Sequence, residues 1–246
     1  MNSITPPAPI RASLTLALFL IAASTLIPAA VRCTPQVPCS ASLDVRVFRR
    51  LNGSIANPVF DGIMPLASNF DKSRIMVIVI WSALVIFGKA RGRWAALMLI
   101  PIIVASDQLT SSVIKPLVER MRPCEVLGTV HLWYGARGWI TTSAEVTRSY
   151  KASFSFPSSH AANITASMLF LGLVYRRWLA PLLAVAFIVS FSRIYIGVHW
   201  PSDVAAGMAL GAGIAWLAYK LFKRFYREGV TGEHIIQSEP DRPPSE

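Results

Sequence analysis

The chain has 246 residues, of which 53% are apolar and only 15% charged, with a formal net charge of +11. So apolar a composition argues against a soluble globular enzyme, and an excess of Lys and Arg without any nucleic-acid-binding motif argues against a nucleic-acid partner. Three cysteines without zinc spacing make no disulfide scaffold, and four histidines without a clustered carboxylate pair, a Cys-His set or a His-Glu-x-x-His run offer no metal site.

Long apolar runs divided by short basic clusters are what a polytopic helical membrane protein needs, because each span takes about 20 residues to cross the hydrocarbon. Residues 1–11 are proline-containing and end in Arg11, and 12–31 are expected to be a retained first span, since the run exceeds a signal-peptide core of roughly 7–15 residues. Cys33 and Cys39 follow closely; in an oxidising compartment they can bridge, and as free thiols they are equally acceptable. Residues 40–72 mix apolar positions with Asp44, Arg46, Arg49, Arg50, Asp61 and Asp71, as an interfacial amphipathic segment does.

Further spans are expected at 73–88, 94–115, 161–175, 178–196 and 201–219. Between the third and fourth lies the longest polar segment, 119–157, with Trp133, Tyr134 and Trp139 suited to the membrane interface. From Arg227 the chain is polar and is expected to be a disordered cytoplasmic tail. The predicted architecture is therefore all-α: a cytoplasmic 1–11, a membrane helical bundle over 12–226 with about six transmembrane helices, and the tail 227–246.

Lys89, Arg91 and Arg93 follow the second span, Arg176 and Arg177 the fourth, and Lys220, Lys223, Arg224 and Arg227 the sixth. Because Lys and Arg mark the cytoplasmic side, both termini are expected inside. The 119–157 loop and the starts of spans four and six then share the extracytoplasmic face.

Three polar clusters fall on that face. In the first, Lys115 and Arg122 are seven residues apart and would project to one side if a helix continues through Pro116. Snorkelling cations at a membrane boundary are the competing reading. In the second, Ser158 or Ser159 can cap the helix that follows, giving an anion site beside His160, or simply an N-cap before a structural histidine. In the third, His199 and Asp203 are four residues apart with Arg193 upstream, so a helix starting near Pro201 lets the carboxylate hold one ring nitrogen and leave the other free to attack. Taken alone, that stretch also reads as a helix-to-helix turn with Pro at the first helical position. Three fixed cations, a helix N-terminus and two imidazoles, one with a carboxylate partner, together supply what phosphoryl transfer needs when no metal neutralises the phosphate.

Lys115 with Arg122-Pro123, then Pro157-Ser158-Ser159-His160, then Ser192-Arg193 with His199 and Asp203, resembles the three-part signature of the type 2 phosphatidic acid phosphatase family, whose site is related to those of vanadium haloperoxidases and bacterial acid phosphatases. Ser159 is the one departure, standing where the family usually has Gly, which bears on how closely the backbone approaches phosphate. The resemblance implies a metal-independent membrane lipid phosphatase without cofactor. It implies that His199 attacks phosphorus, that Asp203 orients and charges the ring, and that His160 protonates the leaving oxygen and then activates water. Lys115, Arg122, Arg193, Ser158 and Ser159 would bind the phosphate oxygens.

By the same resemblance the substrate is a lipid-linked phosphate or diphosphate, with undecaprenyl diphosphate ranked first and the lipid A 1-phosphate second, ahead of phosphatidylglycerophosphate and phosphatidic acid. The expected location is the bacterial inner membrane with the site facing the periplasm or outside. A transporter or flippase that binds a lipid phosphate without cleaving it is the alternative of another class. Asp107 is expected to serve packing and charge balance, Arg148 and Lys151 to be solvated loop cations, and Cys124, His131 and His234 to have no role in the site.

Overall fold

The computed structural model describes residues 43–143 and 153–237, with the side chains of 70–77 and 227–237 left aside. The expected first span at 12–31, Cys33, Cys39, Arg148 and Lys151 lie outside the described residues. In chain order come α1 (Leu43–Arg49), a π-helical turn Arg50–Ser54, α2 (Pro58–Ser68), α3 (Phe70–Phe87), α4 (Lys89–Asp107), a π-helical stretch Gln108–Ile114, α5 (Lys115–Val118) and α6 (Pro123–Val126). A hairpin of β1 (His131–Trp133) and β2 (Trp139–Thr141) follows, then α7 (Ser159–Val174), α8 (Leu179–Tyr195) and α9 (Pro201–Gln237).

Helix α7 is the hub, packed on α9, α8 and α4. Its lower half joins Ala95 and Leu99 of α4 to Phe170 and Val174, and these to Ala215 and Phe222 of α9; the Phe170 and Phe222 rings meet edge to face at 5.8 Å. Towards the other end small residues replace aromatic ones. A Cβ on Gly207 would collide with the carbonyl oxygen of Ser158, and one on Gly211 with that of Ala162. This Gly-x-x-x-Gly spacing lets the two backbones touch, as small residues do at helix contacts in membranes.

The opposite surfaces are apolar and open. Leu97, Ile100 and Val104 on α4, Phe187 on α8, and Trp216 and Leu217 on α9 are all exposed, as lipid-facing residues must be. Among the described residues, Lys89–Val126, Arg176–Tyr195 and Pro201–Tyr226 are long and apolar enough to cross a membrane, with Ile78–Phe87 and Ser159–Val174 as shorter apolar helices. The protein is thus a mostly helical membrane bundle, and helices α3, α4, α7, α8 and α9 occupy the five described stretches where spans are expected.

Three features differ from the expectation. Helix α4 starts at Lys89 instead of 94, its first turns carrying basic residues whose heads turn to neighbouring helices: Arg91 donates to the Val174 carbonyl and lies over the Tyr175 ring at 5.3 Å, and Arg93 donates to the Val85 carbonyl at 3.1 Å. Helix α9 runs past Arg227 to Gln237, where a disordered tail is expected; no proline interrupts the chain between Pro201 and Pro240. The polar 119–157 segment contains a β-hairpin, pairing His131 with Thr141 and Trp133 with Trp139, its turn made by Gly135 and Gly138 at φ 57° and 74°.

Arg91, Tyr175, Phe222 and Tyr226 gather at one end of the bundle. The three polar motifs gather at the other.

Candidate active site

Helix α8 ends at Tyr195, and Gly197 at φ 84° turns the chain back so that the N–H groups of Val198 and His199 donate to the Arg193 carbonyl at 3.3 and 3.2 Å. A Cβ on Gly197 would meet Val130 and the His131 carbonyl, so the turn needs glycine on both counts. Pro201 then opens α9. This link delivers His199, 2% exposed, beside Asp203, 0% exposed.

The His199 Nδ1 lies 3.5 Å from Asp203 Oδ2, within ion-pair range but without a hydrogen bond. Its Nε2 faces Nη1 of Arg122 at 3.5 Å. Since guanidinium only donates, the ring nitrogen there is the acceptor, which assigns the proton to Nδ1 and the lone pair to Nε2. Burial, reinforced by the charges of Arg122, Arg193 and Lys115, holds the His199 imidazole well below its usual pKa, so the ring is neutral at pH 7.

Lys115 and Arg122 do meet at the site, but not by sharing a helical face. Helix α5 stops where Glu119 turns left-handed at φ 51°, its N–H capping the Lys115 carbonyl at 2.9 Å. Arg122 follows in extended conformation, so the two cations are joined by a chain reversal. Arg122 is then fastened by Nε to the Ser153 carbonyl at 2.8 Å and by Nη1 to the Val198 carbonyl at 3.1 Å. Both residues are buried at 7% exposure. Arg193, in the last turn of α8, donates to the carbonyl and hydroxyl oxygens of Ser68 at the end of α2.

Ser158 caps α7, its hydroxyl accepting the Ala161 N–H at 3.4 Å while its own N–H donates to the Asp203 carbonyl at 3.0 Å. His160 occupies the first turn of α7, where Arg193, His199, Lys115 and Arg122 all act on it electrostatically. The Ser159 hydroxyl pairs with Ser111 at 3.2 Å, and Ser111 with Asp107 at 3.4 Å, so Asp107 belongs to a hydrogen-bonded chain ending at the site. The π-helical turn at Gln108–Ile114 widens the helix where this chain leaves it.

The eight residues expected from the motifs are therefore brought to one end of the bundle by α5, α6, α7, α8 and α9. Others were not expected. Arg120 donates to Asp203 Oδ1 at 2.6 Å and to Asp44 of α1 at 2.5 Å, and Ser155 braces the chain around Arg120, its N–H donating to the Arg120 carbonyl at 2.7 Å and its hydroxyl to the Met121 carbonyl at 3.1 Å. A buried carboxylate demands a counter-ion, which is the signal that a partner for Asp203 exists. Nothing in the spacing says that Arg120 provides it. Among the described residues no three His, Cys, Asp or Glu side chains cluster to hold a metal ion.

Residues 96–227 match the model of the PAP2 superfamily. Over 190 residues the chain is 31% identical to a lipid A 4'-phosphatase of Bacteroides thetaiotaomicron, covering 73% of this chain and 76% of the relative. It is 26% identical to an undecaprenyl-diphosphatase of Sulfolobus acidocaldarius over 180 residues, or 72% of this chain and 78% of that one. The crystal structure of a transmembrane PAP2 type phosphatidylglycerolphosphate phosphatase from Bacillus subtilis superposes with a TM-score of 0.56 at 21% identity, covering 87% of this chain and 96% of that one. Family match, relatives and fold agree with the three motifs, and the chain belongs to the PAP2 superfamily as a membrane protein.

Proposed function

We propose that the protein is a metal-independent lipid phosphatase that works through a phosphohistidine on His199. The observation carrying this reading is the convergence of Lys115, Arg122 and Arg193 on His199 and His160 from separate parts of the chain. The neutral His199 Nε2 attacks phosphorus while the bond to the lipid oxygen breaks. His160, which takes up a proton when the anionic phosphate lies among the cations, gives it to that oxygen, then takes one from the water that cleaves the N–P bond and releases inorganic phosphate. Lys115, Arg122 and Arg193 neutralise the phosphate oxygens throughout, with the first turn of α7 and the Ser158 hydroxyl as further donors. Ser159, engaged with Ser111, contributes through its backbone.

The substrate is a lipid-linked phosphate or diphosphate whose tails stay between the spans. Phosphorylated lipid A is ranked first, because relatives named lipid A 4'-phosphatase match at 31% and 29% identity over more than two thirds of the chain; undecaprenyl diphosphate comes next. The site faces the periplasmic side of the inner membrane, as the basic clusters at the other end of the bundle support.

The test is an assay in EDTA on a panel of lipid A phosphates, undecaprenyl diphosphate, phosphatidylglycerophosphate and phosphatidic acid, measuring inorganic phosphate and dephosphorylated lipid together. Release of both in equal amounts from one of them is expected. Intact substrate throughout would favour a binding or transport protein, and dephosphorylation without free phosphate a phosphotransferase.

A further inference from the structure

Asp203 has one neighbour that works against its assigned task. Arg120, 4% exposed and permanently charged, donates Nη1 to Asp203 Oδ1 at 2.6 Å and to the Ser202 hydroxyl at 2.7 Å. A guanidinium that close cancels most of the charge on a buried carboxylate. Left so, Asp203 would give little support to an imidazole that is becoming cationic.

A second carboxylate sits on the far side of the same guanidinium. Asp44 Oδ2 accepts from Arg120 Nη2 at 2.5 Å and from the Ser202 hydroxyl at 2.6 Å, while Oδ1 accepts the Ser202 N–H at 3.1 Å. Arg120 is held in this fork with its face on the Trp200 ring at 5.1 Å, and Phe48 of α1 packs against that ring at 5.4 Å. Asp44 lies outside the residues that the family model matches, and 76 positions from Arg120. Two carboxylates against one guanidinium leave one net negative charge beside His199 Nδ1.

We propose that Asp44 is a positioning residue of the reaction: through Arg120 it restores the negative charge that Asp203 presents to His199. The inference rests on the reading of His199 as nucleophile. When the Nε2–P bond forms and the P–O bond breaks, the leaving oxygen takes the His160 proton and the His199 ring keeps its Nδ1 proton, so the ring becomes an N-phosphoryl imidazolium. That positive charge appears 3.5 Å from Asp203, in a buried place where a net negative cluster lowers the barrier and a neutral one does not.

Charge counting tests this. Asp44→Asn keeps an acceptor for the Ser202 N–H and removes the charge; kcat is expected to fall about 10- to 100-fold, each tenfold being about 1.4 kcal/mol of barrier. KM and inhibition by inorganic phosphate stay at the wild-type level, because Lys115, Arg122 and Arg193 are untouched. The double variant Asp44→Asn with Arg120→Gln loses one charge of each sign, and its kcat should exceed that of Asp44→Asn by about fivefold or more. Asp44→Ser, small, polar and uncharged, should behave like Asp44→Asn, and a melting curve in detergent reports the fold of each variant. Wild-type kcat in Asp44→Asn, or a double variant at or below the product of the two single losses, overturns the proposal. Should the double variant not fold, the kcat of Asp44→Asn against unchanged phosphate inhibition still decides. Full activity in His199→Ala would instead overturn the nucleophile reading, which separates the two failures.

Discussion

Two His–Asp pairs lie at the same end of the bundle, and the Tyr195 hydroxyl joins the first of them. His131 donates Nε2–H to Asp61 Oδ1 at 2.9 Å, stacks flat on Trp139 at 4.1 Å, and shares Asp61 with the Tyr195 hydroxyl at 2.7 Å; both members are about a quarter exposed. His199 and Asp203 are buried, 3.5 Å apart and not hydrogen-bonded, with three cations around the ring. The tight pair is a clasp tying the hairpin to α2 and α8. In the loose pair Asp203 is engaged by Arg120 and the Trp200 N–H, while His199 Nδ1 has no hydrogen-bond partner, in a place where charge is expensive to create. Contact distance in the resting protein is therefore a poor guide to which pair reacts; burial and the sign of the surrounding charge are better guides.

Replacing the two histidines should separate the pairs most widely. His199→Ala is expected to lose activity by about 1,000-fold or more, and His131→Ala to stay within about threefold of wild type while melting a few degrees lower. Comparable losses of turnover in the two variants, each folded, would erase the distinction. The carboxylates come next: Asp203→Asn should cost about 100-fold or more in kcat, by analogy with other oriented imidazoles, whereas Asp61→Asn should cost stability of about 1 kcal/mol and little rate.

The smallest effect is on stability against pH. The folded protein holds His199 neutral, with a pKa well below its usual value, whereas the unfolded chain protonates it below about pH 6.5. Stability contributed by this group is thus full above about pH 6.5 and is lost as pH falls towards the folded pKa, by up to about 1.4 kcal/mol per pH unit. Melting curves between pH 7.5 and 5 should therefore fall more steeply for wild type than for His199→Ala. Parallel curves would mean that the ring takes a proton in the folded state as readily as in the unfolded one.

The site was legible in the sequence wherever its members are near neighbours in the chain. His199 and Asp203 fall on one turn, and Ser158 caps the helix that carries His160, because spacing and cap chemistry are local properties. Apolar run length located helices α3, α4, α7, α8 and α9 for the same reason. Lys115 and Arg122 lie at the same end of the bundle through a chain reversal instead of the shared helical face that is expected, since nothing local announces that Glu119 adopts a left-handed conformation. Asp44, Ser68 and Ser155 escaped notice because their roles depend on tertiary contacts, with Asp44 and Ser202 158 positions apart and Ser68 and Arg193 125. The hairpin was hidden in a segment that reads as polar loop, its pairing decided by only three residues in each strand.

The seam between Gly207, Gly211 and the start of α7 has a mechanical consequence. With backbone resting on backbone at Ser158 and Ala162, no rotamer or side-chain cushion can lengthen or shorten the span between the strand of chain bearing His160 and the one bearing Asp203. The reactive groups thus ride on a rigid spine inside a fluid surrounding, and changes in lipid composition or temperature that tilt the outer helices leave the spacing of acid and nucleophile where it was.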